Sequence, residues 1–318
     1  AAGISFREVL AAFFGQSEAV NKQIILNIRL PRVLAAVLCG MALSVSGTAM
    51  QSILRNPLGS PFTLGISSAA AFGAAFAVVI FGAGSMQSSV NDSVLYNNPY
   101  IITLSAFFWS LFSTALILVV AKAKGATPEN MILTGIIAGS LFTAMMTGLQ
   151  FIADDVELAA IVFWTFGDLS RASWNELLIL AVIILPVLSY FIFNRWNYNV
   201  LDTGDEPAKS LGVNVGRIRT QGMIMASLAT AVAVSFFGII AFVGLVVPHI
   251  VRRLIGGDER FLLPASALFG GAFLLFSDII ARSIISPMVL PVGIITSIVG
   301  APVFIFLLLK GIGRAQWR

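Results

Sequence analysis

The chain has 318 residues, 58% of them hydrophobic and only 11% charged, with a mean hydropathy of +0.95. That composition excludes a soluble enzyme or a nucleic-acid binder and describes an all-α, polytopic helical membrane protein, in which a net charge of +4 reports orientation. One cysteine, Cys39, and one histidine, His249, cannot build a disulfide framework or a Cys/His metal site within one chain, so no metal is expected.

Residues 1–28 read as an outer interfacial segment, with Phe6, Val9, Leu10, Phe13 and Phe14 on one side of a helix and Arg7 and Glu8 flanking it. The segment is too short and too charged to span, and it has no cleavable signal pattern. After NIRLPR, the uncharged run Val33 to Leu54 predicts a spanning helix with Gly40, Ser44, Ser46 and Gly47 available for close packing. Ser60-Pro61 restarts a helix by cap-then-proline logic, and Phe62 to Gly84 crosses back. The polar loop Ser85 to Asn98 has no Lys or Arg. A crossing from Asn98-Pro99 ends at Lys122 and Lys124, and Thr127-Pro128 opens the next, Met131 to Ala153, with Gly135 and Gly139 four apart. Asp154, Asp155 and Glu157 return to water, Ala159 to Phe166 reads as a half-helix, and Leu177 to Asn194 crosses again, ending at Arg195, Trp196 and Tyr198.

Leu201 to Gln221 is the densest charged stretch and must sit in water. Pro207 suits the first position of a short helix, Pro207 to Leu211, with Gly212 just past its end, and Asn214 suits the cap of a second helix running on from Val215. Gly222 to Val251 carries no charge for thirty residues, longer than the roughly 30 Å of hydrocarbon needs at about 1.5 Å per residue. Two short helices broken near Phe237 to Gly244 keep Arg252, Arg253 and Arg260 on the charged loop's side. Phe261 to Arg282 then crosses out and Val292 to Leu309 crosses back.

This layout has nine crossings and places thirteen of the nineteen Lys and Arg residues on one side, among them Lys310, Arg314 and Arg318. By the positive-inside rule the loop 201–221 is cytoplasmic, with the first residues outside and the C-terminus inside. Among the proposed spans Asp278 stands out, one turn before Arg282, where an i, i+4 ion pair is expected. No set of buried carboxylates suits an ion-coupled carrier, no catalytic pair suits an intramembrane enzyme, and no GxxxxGK[ST] loop binds ATP. An energised partner is therefore expected. His249, Trp109, Trp164 and Trp174 read as packing or interfacial residues.

The segments IRLPRVLAAVLCGMALSVSGTAMQ, NPLGSPFTLGISSAAAFGA, GDEPAKSLGV, AFVGLVVPHIVRR, LLPASALFGGAFLLFSDIIAR and LPVGIITSIVGAPVFIFLLLK resemble, in order and spacing, the permeases of the ABC importer family for iron chelates, haem and vitamin B12. That family has ten spans; the chain matches from where the first would end. The resemblance implies one permease domain over residues 1–318 in a symmetric homodimer, two ATPase subunits that bind the ATP and Mg, and a periplasmic or lipid-anchored substrate-binding protein. It further implies a multi-pass location in a prokaryotic cell (inner) membrane, no cofactor in this chain and no enzymatic activity of its own.

The resemblance also implies roles for particular residues. Asp205, Glu206, Pro207, Ala208, Lys209, Ser210, Leu211, Gly212 and Val213 would meet the ATPase, the alternative being a merely solvated loop. Arg29, Arg32 and Arg282 would meet carboxylates of the binding protein, the alternative being headgroup anchoring. Asn56, Leu58, Thr127, Pro128 and Glu129 would form the cytoplasmic gate, with helix capping as a competing role. The implied cargo is a metal chelate, foremost an iron-siderophore, with haem, cobalamin or an oxyanion such as molybdate as alternatives.

Overall fold

A computed structural model describes residues 6–14, 19–83, 99–123, 127–285 and 287–309. The 85–98 loop, Lys124, Lys310, Arg314 and Arg318 lie outside these residues. The described residues form helices and turns with no strand. Two short helices, α1 (Phe6–Phe13) and α2 (Ala19–Gln23), precede a π-helical stretch, Ile24–Arg29, that runs straight into α3 (Leu30–Leu54). Then follow α4 (Ile66–Ile80), α5 (Pro99–Ala123), α6 (Pro128–Ile152), α7 (Asp155–Thr165), α8 (Trp174–Leu201), α9 (Asp205–Ser210), α10 (Val215–Phe237), α11 (Val243–Ile255), α12 (Glu259–Ser283) and α13 (Val292–Leu309). Among the described residues six helices are long and apolar enough to cross a membrane, and α4 and α13 are shorter apolar helices.

The bundle is built on α3. In the helix Ala19–Leu54, 72% of the most apolar stretch is buried, against 17% in α6. The cause is the small-residue pattern: lipid offers no hydrophobic drive between helices, so α3 gains contact by letting backbones approach. A Cβ on Gly40 would lie 2.2 Å from the Gly270 carbonyl oxygen of α12, and one on Gly47 would lie 1.7 Å from the Gly244 oxygen of α11. Near its N-terminal end α3 is tied to α12, because Arg32 bonds the Asp278 carboxylate through Nε and Nη2 at 3.0, 3.2 and 2.7 Å.

Bonds at the two ends of the bundle fix helix directions. Gln51, Ser52 and Ile53 at the end of α3 meet Arg252 of α11, Asp202 after α8 and Arg219 of α10. At the other end Trp174 Nε1, at the start of α8, donates to the Leu26 carbonyl at 3.0 Å. These bonds gather the ends of α3, α8 and α11 with the start of α10 at one end of the bundle, and set the start of α8 beside the residues that lead into α3 at the other. The uncharged thirty residues divide as expected: α10 stops at Phe237, α11 starts at Val243, and Gly238 at φ 74° with Phe242 at φ 67° makes the break. Phe72, Phe76, Phe142 and Trp109 form an aromatic cluster, so Trp109 is a packing residue, as is the buried Trp164.

Two of the boundaries that differ from expectation have a plain physical reason. Residues 61–65 form a turn, not the first turn of a span: Ser60 and Thr63 begin it as a cap would, but Gly65 at φ 73° interrupts it where the chain passes Gly135 and Gly139 of α6. Helix α8 runs past Arg195 to Leu201, seven residues beyond the predicted stop, since nothing at 195–198 breaks a helix.

Gly40→Ala is expected to destabilise the protein by about 1–3 kcal/mol, because the added methyl meets backbone that cannot swing aside. Gly148→Ala, with nothing within 4 Å of its Cβ, should leave stability within about 0.5 kcal/mol or raise it slightly. Thermal unfolding of the two variants in detergent compares them directly.

Candidate functional site

The loop between α8 and α10 folds as a rigid knob. Helix α9 starts at Asp205, two residues before the predicted start, so Pro207 is its third residue. The reason is local: the first intrahelical bond runs from the Ala208 N–H to the Gly204 carbonyl at 3.0 Å, so the backbone nitrogens of Asp205, Glu206 and Pro207 all precede it and none has an intrahelical acceptor to reach. Proline is therefore free of penalty at any of these positions. The C-terminal expectation holds. Gly212 sits at φ 84°, and the Val213 N–H returns to the Ala208 carbonyl at 3.0 Å. Asn214 caps α10, its Oδ1 accepting from the Arg217 N–H at 3.0 Å.

The nine residues expected to face an ATPase divide into two groups. Glu206, Pro207, Lys209, Ser210, Leu211 and Gly212 are exposed, with Leu211 68% exposed, an unusual position for a large apolar side chain on a charged loop. Glu206 and Lys209 pair at 2.8 Å in solvent, a contact too well hydrated to organise the loop. Ala208 is buried and Val213 half-buried. Asp205 turns inward: Arg219, with its side chain 4% exposed, holds it through Nη2 and Nη1 at 2.9 and 3.1 Å. The hydrogen bond from Arg219 keeps the Asp205 carboxyl below the usual carboxylate range. Asp205 is thus an anchor of the knob more than a part of its outer face.

Beneath the knob lies a polar cluster that sequence reasoning missed. Ser52 Oγ donates to Asp202 Oδ1 at 2.7 Å, Arg252 donates to Gln51 Oε1 at 3.1 Å and to Glu259 Oε1 at 3.2 Å, and the Glu259 N–H donates to Asn199 Oδ1 at 3.0 Å. Both Arg252 and Glu259 are buried. In sequence they flank Gly256-Gly257-Asp258 like residues of a solvated turn, and only the seven-residue spacing across that turn hints that they can meet. Burial pushes the Asp202 carboxyl up to about 6, against the Ser52 bond and the Arg252 and Arg55 charges, which act the other way.

The expected gate residues have local partners. Asn56 Oδ1 accepts from the Leu58 N–H at 2.8 Å, closing a turn that leaves Leu58 46% exposed, and His249 Nε2 donates to the Pro57 carbonyl at 2.7 Å. His249 thereby has the structural role expected of it. Thr127 caps α6, with Pro128 and Glu129 in the first turn, so the capping role is real at these positions. At the opposite end of the bundle from the knob, Asp278 makes the predicted i, i+4 pair with Arg282 at 3.0 Å. Arg32, expected at the outer surface, is instead buried against the same carboxylate. Its guanidinium satisfies a buried charge, and the surface position falls to Arg29 and Arg282, which are half-buried.

Alongside α6 runs an open groove of about 640 Å³ lined by Thr63, Ser68, Ser140, Thr143 and Thr147 among glycines and apolar residues. Thr143 and Thr147 donate to their own helix at Gly139 and Thr143, so the wall is polar at its surface yet carries no charge.

Because the folded protein holds the Asp202 proton to about pH 6 and the unfolded chain releases it near 4, the unfolded state binds fewer protons between these values. Stability therefore falls as pH rises through this window, by roughly 3 kcal/mol, and is flat above it. Asp202→Asn keeps the acceptor for Ser52 and is expected to lose this slope. Unfolding measured from pH 4 to 7 tests it, and equal slopes in both proteins would clear Asp202.

Comparison with known proteins gives one consistent result. The model of the FecCD transport family matches residues 1–310. An ABC transporter permease protein of Methanocaldococcus jannaschii is 54% identical over 96% of this chain and 87% of its own length. A hemin transport system permease of Yersinia pestis is 39% identical over 90% and 83%, and a vitamin B12 import permease of Vibrio vulnificus is 34% identical over 95% and 88%. A solved inward-facing ABC transporter of metal-chelate type superposes with a TM-score of 0.82 at 31% identity, covering 97% of this chain and 98% of that one. With the family model spanning nearly every residue and these relatives being permeases, the chain belongs to the FecCD transport family and is a multi-pass transport subunit, not an enzyme.

Proposed function

We propose that this protein is the translocation subunit of a binding-protein-dependent importer for a metal chelate, foremost an iron-siderophore, in a prokaryotic cell membrane. Nine helices, α3 to α6, α8 and α10 to α13, cross the bilayer, and two copies of the chain enclose the pathway. The archaeal and bacterial relatives support this location, and their hemin, vitamin B12 and iron-chelate names support the cargo class without choosing within it. An uncharged, hydroxyl-lined groove of about 640 Å³ suits a large ligand handed through without a tight site.

The observation that carries the reading is the division of the knob. One face, Glu206, Pro207, Lys209, Ser210 and Leu211, is presented to solvent on a short helix, while Asp205 fastens that helix to the membrane body. A surface that is apolar at Leu211, charged around it and rigidly mounted suits a protein partner, here the two ATPase subunits that hold ATP and Mg. Outside, Arg29 and Arg282 suit the carboxylates of a substrate-binding protein.

Two measurements test the contacts. Leu211→Asp is expected to weaken ATPase binding at least about tenfold, the scale of one hot-spot residue, with no change in thermal unfolding of the isolated subunit. Unchanged affinity would remove Leu211 from the interface. Arg29→Glu is expected to slow binding-protein association and to reduce its salt dependence, and stimulation of ATP hydrolysis by loaded binding protein in proteoliposomes should fall with it. Solute accumulation by liposomes containing this chain alone would contradict the whole proposal.

A further inference from the structure

Three successive residues in the last turn of α3 each hold a different helix. Gln51 accepts from Arg252 of α11, Ser52 donates to Asp202 after α8, and the Ile53 carbonyl accepts from Arg219 Nε of α10 at 3.2 Å. The Ile53 carbonyl is among those a helix leaves without an intrahelical donor at its C-terminal end, so Arg219 supplies what α3 cannot. The two remaining nitrogens of the same guanidinium grip Asp205 of α9 at 2.9 and 3.1 Å. A planar fork with both sides engaged has no soft torsion between its partners, so α9 and the end of α3 are joined through one rigid group. With its side chain only 4% exposed, Arg219 offers little surface to a partner.

What lies just beyond Ile53 gives this link its meaning. The chain passes through Arg55, held at φ 45°, into the tight turn Asn56–Leu58, whose Pro57 carbonyl is tied to His249 of α11. A displacement of α9 therefore has a short route to that turn, through Arg219 to Ile53 and along three residues of backbone. We infer that Arg219 is a positioning residue of the transport cycle, making α9 and the end of α3 one body so that movement imposed on α9 is delivered to Asn56–Leu58. The inference rests on the reading of α9 as the ATPase contact. It adds which residue carries the movement and where it goes.

The test uses the complete transporter, permease with ATPase and binding protein, in lipid nanodiscs. Reporter labels are placed at Ser210→Cys on α9 and, separately, at Leu58→Cys; Cys39 is fully buried and stays in place. In the otherwise native protein, a nonhydrolysable ATP analogue should shift both reporters. In the Arg219→Gln background the Ser210 reporter should still respond and the Leu58 reporter should not, and in proteoliposomes the number of iron-siderophore molecules imported per ATP should fall about tenfold. Asp205→Asn cuts the charged grip while leaving the bond to Ile53. It is expected to lose the Leu58 response too, and it serves as the test if Arg219→Gln does not assemble. A full Leu58 response in either assembled variant overturns the inference. Loss of both responses also overturns it, because Arg219 would then only keep α9 docked. Absence of any Ser210 response in the otherwise native protein refutes the ATPase-contact reading itself, and this inference with it.

Discussion

Gly40 and Gly270 bring the backbones of α3 and α12 so close that neither could carry a side chain at that point, and Gly47 and Gly244 do the same for α3 and α11. Within lipid, where apolar surface gains nothing by meeting other apolar surface, such approach is what gives helices contact beyond what lipid tails offer. Once α3 is gripped at two levels by two helices, its rotation about its own axis is set. The direction of every polar side chain at its ends follows. Arg32 must then point at α12, and Gln51 and Ser52 at α11 and α8.

The ion pairs at those ends serve a purpose other than cohesion. A buried pair recovers at best about what it loses in desolvation, and an apolar pair of the same size is often as stable. What Arg32 with Asp278 and Arg252 with Glu259 do supply is a penalty for sliding. A shift of one helix by a turn would leave a charge buried without its partner. Glycine seams resist separation but say little about displacement along the axis, and the charged ends fix that register. Placing the pairs at the ends, not at mid-depth, leaves the middle of the bundle free of charge, and the groove along α6 is uncharged for the same reason.

Local chemistry was legible in the sequence, and long-range pairing was not. The Thr127-Pro128 start of α6, the Asn214 cap of α10, Gly212 past α9 and the break between α10 and α11 are each decided within a few residues, and each was read correctly. The family was legible too, because several blocks recur in order. Arg32 lies 246 positions from Asp278, so nothing near it in sequence says that it faces inward; beside Arg29 and a proline it looks like a surface cation. Glu259 and Arg252 look solvated for the same reason. Asp205 lies in the charged loop, but its bond to Arg219, fourteen residues away on another helix, is not readable from its neighbours. The start of helix α4 was placed too early because the need for Gly65 comes from Gly135 and Gly139 of α6, which the turn must pass.

An uncharged groove wall bears on where work would enter the proposed transport cycle. A carrier driven by an ion gradient couples by binding the ion and the cargo to shared, polar elements at mid-depth, so that each changes the affinity for the other. Here the charged groups of the described apolar helices lie near the helix ends, with Arg32–Asp278 and Arg252–Glu259 among them as pairs, and in the groove Thr143 and Thr147 donate to carbonyls of their own helix. Such a wall can pass a large ligand but has little with which to sense it. In the proposed transport cycle the displacement is imposed from a surface outside the bilayer, and the knob suits that role: Leu211 is an exposed apolar residue for a partner to seat on, and the buried Arg219 guanidinium fastens the knob where it meets the bundle. A loop tethered only by its exposed Glu206–Lys209 pair would absorb the push within its own flexibility. Anchoring through Arg219 converts the same push into motion of α3, the helix to which the rest of the bundle is fitted.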